Sequence, residues 1–244
     1  MLKEAGSVQV LNLSELFGVS AVTIRKDLNF LENLGMSTRT YGGAMLNRNN
    51  GSAVERPVED KQQLYAAEKD AIGRAAADCV EPGDSIILDS GTTTTSVAGY
   101  LRDKKGITVV TNDLNVMNKL SGLEQLNLIM LGGKLRRKNM SFFGAQAEHA
   151  LRELHVDKLF LGVDGFHMDK GITTHFDAEA LMNRLMHKAA GQTIVVTDSS
   201  KFGKICLHQI LEASHVSKVI TDKGIPDEYR TGLESLGIEI VIAE

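Results

Sequence analysis

From residue 85 to the end, one theme recurs: a short run of Val, Ile and Leu, an abrupt polar or glycine-bearing loop, then a helical segment. The apolar runs fall at 85–88, 108–110, 126–130, 158–162, 193–196, 218–221 and 239–242, with helices expected at 96–102, 178–190 and 227–236 between them. Because the runs are short, branched and mostly not alternating in polarity, they read as strands covered on both faces. Strands of that kind joined by helices build a doubly wound, mainly parallel α/β sheet. In the 178–190 helix, Leu181, Leu185 and Ala189 are expected on the buried stripe, with Arg184, His187 and Lys188 off it. Ala67, Ala71, Ile72, Ala75, Ala76 and Cys79 place one further helix ahead of the first run, closed by Pro82-Gly83.

Ligands of such sheets bind beyond the carboxyl ends of the strands, so the residues that follow each run decide what the chain can hold. They are polar throughout. The first run leads into Asp89-Ser90-Gly91-Thr92-Thr93-Thr94-Thr95 and the second into Thr111-Asn112-Asp113. The later ones lead into Gly132-Gly133-Lys134-Leu135-Arg136-Arg137, into Asp164-Gly165 and into Thr197-Asp198-Ser199-Ser200-Lys201. Gly91 lets a backbone approach a ligand closely, and a helix opening near Ser96 would turn free N–H groups towards an anion. Ser90, Gly91, Thr92, Thr93 and Thr94 are therefore assigned to a phosphate, the alternative being that the hydroxyls only cap the helix. The cations Lys134, Arg136, Arg137 and Lys201 share that edge, and Asp89, Asn112, Asp164 and Glu179 can exchange hydrogen bonds with a polyol. A sugar phosphate satisfies both halves, its sugar facing Asp89, Thr111, Asn112, Gly132, Gly133, Arg136, Asp164, Glu179 and Lys201.

Other chemistries lack their signatures. His175 and Glu179 are the best metal candidates, but no HxxxH or cysteine cluster joins them, so no metal and no cofactor is expected. Gly132-Gly133 is not a dinucleotide fingerprint. Cys79 and Cys206 stand in apolar surroundings without CxxC spacing and read as buried thiols. No run approaches the roughly 18 apolar residues of a membrane span, and with 43% hydrophobic and 24% charged residues the chain is expected to be a soluble cytoplasmic protein without a membrane partner.

A net charge of −4 excludes a protein that coats nucleic acid indiscriminately. Residues 1–48 nevertheless carry five basic against four acidic side chains, while the remainder holds 22 against 27, so any affinity for DNA belongs to the first fifth. There, Asn12 and Glu15 suggest a capping box for a short helix with Leu13, Leu16 and Phe17. Gly18-Val19-Ser20 makes a tight turn, and the next helix puts Ile24, Leu28 and Leu31 on one face with Thr23, Lys26 and part of Arg25 outward. Such a helix fits a major groove, Thr23 near base edges and Arg25 or Lys26 near phosphates. Residues 36–45, with Arg39, Tyr41 and Gly42-Gly43, read as a hairpin wing.

The segment from Leu13 to Leu28, with Gly35 and the Arg39-Thr40-Tyr41-Gly42-Gly43-Ala44 wing, resembles the winged helix-turn-helix signature of DeoR-family transcriptional repressors. The body continues the resemblance through Asp89-Ser90-Gly91-Thr92-Thr93, Thr111-Asn112, Leu131-Gly132-Gly133, Phe160-Leu161-Gly162-Val163-Asp164-Gly165, Gly171-Ile172-Thr173, Glu179-Ala180 and Asp198-Ser199-Ser200-Lys201-Phe202. Leu135-Arg136-Arg137, residues 143–148 and Thr174-His175 ahead of Glu179 are similar to the branch that represses N-acetylgalactosamine and galactosamine catabolism. Asn183 stands where many members have Lys, which removes one cation from the site.

The resemblance implies a winged helix-turn-helix DNA-binding domain over 1–46, lacking most of its first helix, a linker over 47–61, and a sugar-phosphate effector domain over 62–244 of ribose-5-phosphate isomerase and CoA-transferase-like fold. DNA contacts are assigned to Ser20, Ala21, Thr23, Arg25, Lys26, Arg39 and Tyr41. The implied function is repression of a carbohydrate, amino-sugar, catabolic operon, with operator DNA, a sugar-phosphate effector and further copies of the chain (a dimer or tetramer) as partners. The alternatives are a sugar-phosphate isomerase-like enzyme, with Asp164 or Glu179 as base and Lys201 stabilising the enediolate, and a truncated sensor that no longer binds DNA.

Overall fold

The computed structural model describes residues 1, 6–33, 37–40, 42–46 and 57–244. They form two compact units, Met1–Val54 and Glu55–Glu244.

In the first unit β1 (Ser7–Gln9), α1 (Val10–Phe17), α2 (Ala21–Asn33), β2 (Ser37–Thr40) and β3 (Gly43–Leu46) follow in chain order. Gly18 ends α1 in the left-handed region, at φ 63°, and its N–H returns to the Ser14 carbonyl. Ser20 Oγ then accepts from the Thr23 amide at 3.1 Å, capping α2, so the helix-turn-helix forms where the sequence places it. The capping box does not form: α1 starts at Val10, with Gln9 before it, and Asn12 and Glu15 lie inside the helix. The entry is held by sheet pairing instead. β1 pairs antiparallel with β3, and the Val10 amide donates to the Gly42 carbonyl at 2.8 Å. β2 and β3 pair as the expected hairpin, in the order β1-β3-β2. Val10, Leu13, Ile24, Leu28 and Ala44 form the core of this unit, whereas Leu16 and Phe17 are 60% and 58% exposed. The expectations for Gly35, Met36, Tyr41 and residues 47–56 lie outside the described residues.

The second unit begins with α3 (Val58–Gln63) and α4 (Ala66–Asp78). Next come β4 (Ser85–Leu88), α5 (Thr92–Gly99), β5 (Thr108–Thr111), α6 (Leu114–Leu120), β6 (Asn127–Met130), the hairpin β7 (Lys134–Arg136) and β8 (Ser141–Phe143), and α7 (Ala145–Arg152). β9 (Val156–Leu161), β10 (Gly165–His167), β11 (Gly171–Thr174), α8 (Asp177–Ala189) and β12 (Ala190–Val196) follow, and β13 (His208–Leu211), β14 (Lys218–Asp222), α9 (Asp227–Ser235) and β15 (Glu239–Ala243) complete the chain.

All seven apolar runs are strands of one sheet, ordered β15-β14-β12-β9-β4-β5-β6 and parallel at every pairing. Its two faces pack separate cores. Ile86, Leu88, Val109 and Phe160 point to one, with Ile72 and Ala76 of α4 and Val97 of α5. Ile87, Val110, Leu159 and Leu161 point to the other, with Met182 and Met186 of α8. Both faces being covered is why the runs show no polar alternation. The strand order reverses between β4 and β9, the position where doubly wound sheets open a crevice.

Two helices differ from expectation. α5 begins at Thr92 rather than near Ser96, because Thr94 Oγ1 and Thr95 Oγ1 donate back to the Gly91 carbonyl at 2.9 and 2.7 Å and absorb the turn into the helix. In α8 the buried stripe is Ala180, Met182, Asn183, Met186 and Ala189, leaving Leu181 and Leu185 half-buried. The helix is covered on a second side by β11 and β13, which rotates the buried stripe by about one residue. Cys206 is buried as expected, whereas Cys79 is only half-buried, and both are free. Among the described residues no helix is long and apolar enough to cross a membrane.

Candidate functional site

The parallel pairings carry the carboxyl ends of β4, β5, β6, β9, β12 and β14 to one edge, so the polar loops of the sequence lie side by side there. The turn after β4 is shaped by glycine. Gly91 has φ 151°, a conformation side-chain-bearing residues rarely adopt, and a Cβ there would meet nothing closer than Thr94 Oγ1 at 3.8 Å. Its N–H donates to Asp113 Oδ2 at 2.9 Å, so this amide is already in use. The amides of Thr92, Thr93 and Thr94 start α5 and have no carbonyl within the helix to receive them. Ser90 Oγ is buried, at 7% residue exposure, without a hydrogen-bond partner among the described residues.

α5 is held in place by an unusually close helix contact: a Cβ on Gly73 of α4 would stand 2.7 Å from the Ser96 carbonyl carbon.

After β5, Asp113 caps α6 by accepting from the Asn115 and Val116 amides at 2.6 and 3.3 Å. Burial pushes its carboxyl up to about 6, against the lowering effect of those N–H groups and Gly91's. Thr111 Oγ1 accepts from the Asp113 amide at 3.0 Å and is committed to this turn. Asn112 Nδ2 donates to the Phe142 carbonyl at 2.9 Å, while its Oδ1 is buried without a partner among the described residues, in a residue only 3% exposed.

The β7–β8 hairpin folds back over this edge, bridging Ser141 to Asp113 and bonding the Phe142 amide to Asn112 O at 2.8 Å. Gly133 serves that hairpin: at φ 135°, a Cβ would lie 2.5 Å from the Phe143 carbonyl oxygen. Gly132 and Gly133 are both exposed. Arg136 stacks on the Phe176 ring, 4.3 Å from its centroid, and its Nη1 stands 3.8 Å from Glu179 Oε2. Asn139 Nδ2 approaches the same oxygen at 3.5 Å.

Asp89 is buried beside Glu179, and burial first, then the Glu179 charge, raise its carboxyl well above the ordinary range. With its NH2 facing the acceptors, Asn183 donates to Asp89 Oδ1 and to the Glu179 carbonyl, both at 3.1 Å. The Asn183 amide therefore bonds to a carboxyl that burial disposes to be protonated.

A second cluster lies past β9 and β12. Asp164 Oδ1 receives Lys61 Nζ at 2.8 Å and Oδ2 receives Thr174 Oγ1 at 3.0 Å. Burial opposes its ionisation, yet Lys61, Lys201 and His175 together hold Asp164 below the ordinary carboxylate range. Lys69, 5% exposed, donates to the carbonyls of Lys61 and Leu64, each at 2.6 Å. Burial lowers its ammonium to about 8, with Asp198 opposing. Cys206 approaches His175 Nε2 at 3.5 Å, but burial pushes its thiol up to about 11, which removes it as a nucleophile.

The loops thus bring most of the sequence-assigned residues to one edge. Lys61, Lys69 and Asn139 were not singled out by sequence reasoning, and Thr174 only within the Thr174-His175 motif. Asp113 carries a readable signal, an N-cap residue directly ahead of a helical run. Lys61 carries none, because its pairing spans 103 residues.

In the first unit Ser20, Thr23, Arg25 and Lys26 are exposed along the turn and the start of α2, with Ala21 half-buried. Arg39 is half-buried: its amide donates to Glu32 Oε1 at 2.6 Å, and its Nη1 is buried without a hydrogen-bond partner among the described residues. Tyr41 lies outside the described residues.

Comparison with known proteins matches residues 1–50 to the DeoR-like helix-turn-helix domain and residues 65–223 to the DeoR C terminal sensor domain. A protein of Escherichia coli O157:H7 named as an aga operon transcriptional repressor is 45% identical over 99% of this chain and 90% of its own length. The HTH-type transcriptional repressor GlcR of Bacillus subtilis is 31% identical over 100% of this chain and 93% of its own. The glycerol-3-phosphate regulon repressor of Escherichia coli K12 is 31% identical over 93% and 88%. Among solved structures, a ribose 5-phosphate isomerase from Methanocaldococcus jannaschii overlaps 57% of this chain and 55% of its own, at TM-score 0.42 and 16% identity.

Proposed function

The chain belongs to the DeoR family of transcriptional regulators, and from that premise we propose that it represses an amino-sugar catabolic operon and that a sugar phosphate bound at the edge of the central sheet modulates its grip on DNA. The observation that carries this reading is the gathering of a glycine turn, three free helix amides and the cations Lys61 and Lys201 at the carboxyl ends of parallel strands. A phosphate dianion matches the amides and dipole at the start of α5. A polyol matches the unpartnered Ser90 Oγ and Asn112 Oδ1, which cost free energy until a ligand or water bonds them. Asp164, Glu179 and Arg136 line the sugar half.

Thr23, Arg25 and Lys26 on α2 would read the major groove, with Ser20 and Ala21 at its entry and Arg39 and Tyr41 on the wing. Repressors of this kind act as symmetric oligomers on paired half-sites, and a dimer or tetramer is proposed on that ground. The amino-sugar assignment draws on the relative named for the aga operon. The relatives are named as regulators, so the groups an isomerase would use for catalysis are read as recognition groups.

Coupling requires the effector to favour one state of the protein over another. The test is a gel shift on DNA from the chain's own promoter region, with and without galactosamine 6-phosphate and N-acetylgalactosamine 6-phosphate. Retarded DNA whose affinity changes at least five-fold with one of the two supports the reading; DNA binding indifferent to both refutes it.

A further inference from the structure

α3 is tied to two separate loops of the candidate site and to α4. Its first amide, on Val58, donates to the Lys138 carbonyl of the β7–β8 hairpin at 2.9 Å. Its middle residue, Lys61, is ion-paired to Asp164 beyond β9. Its end is held by the buried Lys69 ammonium, which bonds the carbonyls of Lys61 and Leu64. Between α3 and α4, Tyr65 adopts φ 55°, a left-handed conformation that is strained for a non-glycine residue and marks a joint. The Tyr65 hydroxyl lies near Ser200 and the Asp198 carboxylate, on the loop that also carries Lys201.

α3 also packs against α5, the helix whose first turn is proposed to hold the phosphate. In the chain it comes directly after the segment that joins the two units.

On the reading of this edge as a sugar-phosphate site, we propose that Lys61 is an effector-contacting residue that transmits occupancy. With the site empty, Lys61 neutralises Asp164. When a sugar hydroxyl donates to Asp164 and a phosphate dianion sits on α5, the lysine exchanges its carboxylate for the effector, and α3 turns about the joint at Tyr65. The helix thereby carries the state of the pocket to the segment that leads to the DNA-binding unit. A ligand shifts an equilibrium only through a differential interaction, and the exchange of Lys61 between Asp164 and the effector supplies one.

The experiment is amide hydrogen exchange on the full chain with and without galactosamine 6-phosphate, in parallel with calorimetric titration, for the natural chain, Lys61→Met and Lys61→Arg. The expected result is that the probe changes exchange at least five-fold across residues 57–69 in the natural chain and in Lys61→Arg. In Lys61→Met the probe should bind up to about ten-fold more weakly and leave that segment unchanged at saturation. An equal change in Lys61→Met, or changes in the natural chain confined to residues 89–95 and 111–113, overturns the proposal while leaving the binding site standing. If neither galactosamine 6-phosphate nor inorganic phosphate binds the natural chain, the reading of the site itself fails and this proposal fails with it.

Discussion

The amide of Gly91 and the carboxylate of Asp113 meet at 2.9 Å, joining the turn after β4 to the cap of α6 on the neighbouring strand. This bond links the proposed phosphate turn to the proposed sugar loop, so each can be disturbed from the other side.

Replacing Gly91 with alanine forces a Cβ into φ 151° while meeting almost no steric obstacle. The cost is therefore conformational, about 1–3 kcal/mol. Gly91→Ala should lower the unfolding free energy by that amount in urea titrations and weaken sugar-phosphate binding at least ten-fold. A variant as stable and as tight as the natural chain contradicts the role given to the turn.

Asp113 makes the pH response specific. Its folded-state pKa, about 6, lies above the unfolded value, so its contribution to stability is complete below about pH 4 and is lost as pH rises through 6. Relative to Asp113→Asn, the natural chain should lose about 2 kcal/mol between pH 4.5 and 7.5. Denaturant titrations at the two pH values measure the difference, and the Asp113 carboxyl carbon should titrate in NMR with its midpoint near 6. A midpoint near 4 removes the effect.

Two adjacent glycines should part company. A Cβ on Gly132 meets nothing within 4 Å, whereas one on Gly133 would collide with the Phe143 carbonyl at 2.5 Å in a backbone conformation that already favours glycine. Gly132→Ala should leave stability within about 0.5 kcal/mol, and Gly133→Ala should cost more than about 2 kcal/mol because backbone cannot give way as a side chain can. Thermal unfolding of the pair tests this; equal losses refute the hairpin role of Gly133.

On the DNA-binding unit, Lys26 is exposed on α2 and assigned to a phosphate, Thr23 to a base edge. Lys26→Ala should weaken operator and unrelated DNA alike and reduce the salt dependence of log affinity by about one. Thr23→Ala should act on operator DNA alone. Anisotropy titrations at several salt concentrations distinguish the two, and a Lys26 effect confined to the operator contradicts the assignment.

The sheet was legible because each strand is covered on both faces, which leaves a local mark: Ile86, Ile87 and Leu88 read as one apolar run although they point to opposite cores. The polar loops were legible for a related reason, since parallel strands send every carboxyl end to one edge. The start of α5 was not, because Thr92 to Thr95 disfavour helix by propensity and enter it only through their hydroxyl bonds to Gly91. The capping box at Asn12 failed where strand pairing at Gln9 replaced a side-chain cap. Lys61 and Lys69 lay beyond sequence reading for a different reason. A lysine buried against carbonyls, and another paired with a carboxylate 103 residues further on, leave no periodicity or spacing for the chain to display.

The central claim is that this edge grips a phosphorylated sugar through its phosphate. Calorimetric titration of the full chain with galactosamine 6-phosphate and with galactosamine tests it most directly. The account predicts binding of the phosphate ester at least a hundred-fold tighter than the free sugar, with most of that preference lost in Gly91→Ala. Equal affinity for the two sugars, or a preference for the ester that survives Gly91→Ala intact, would contradict it.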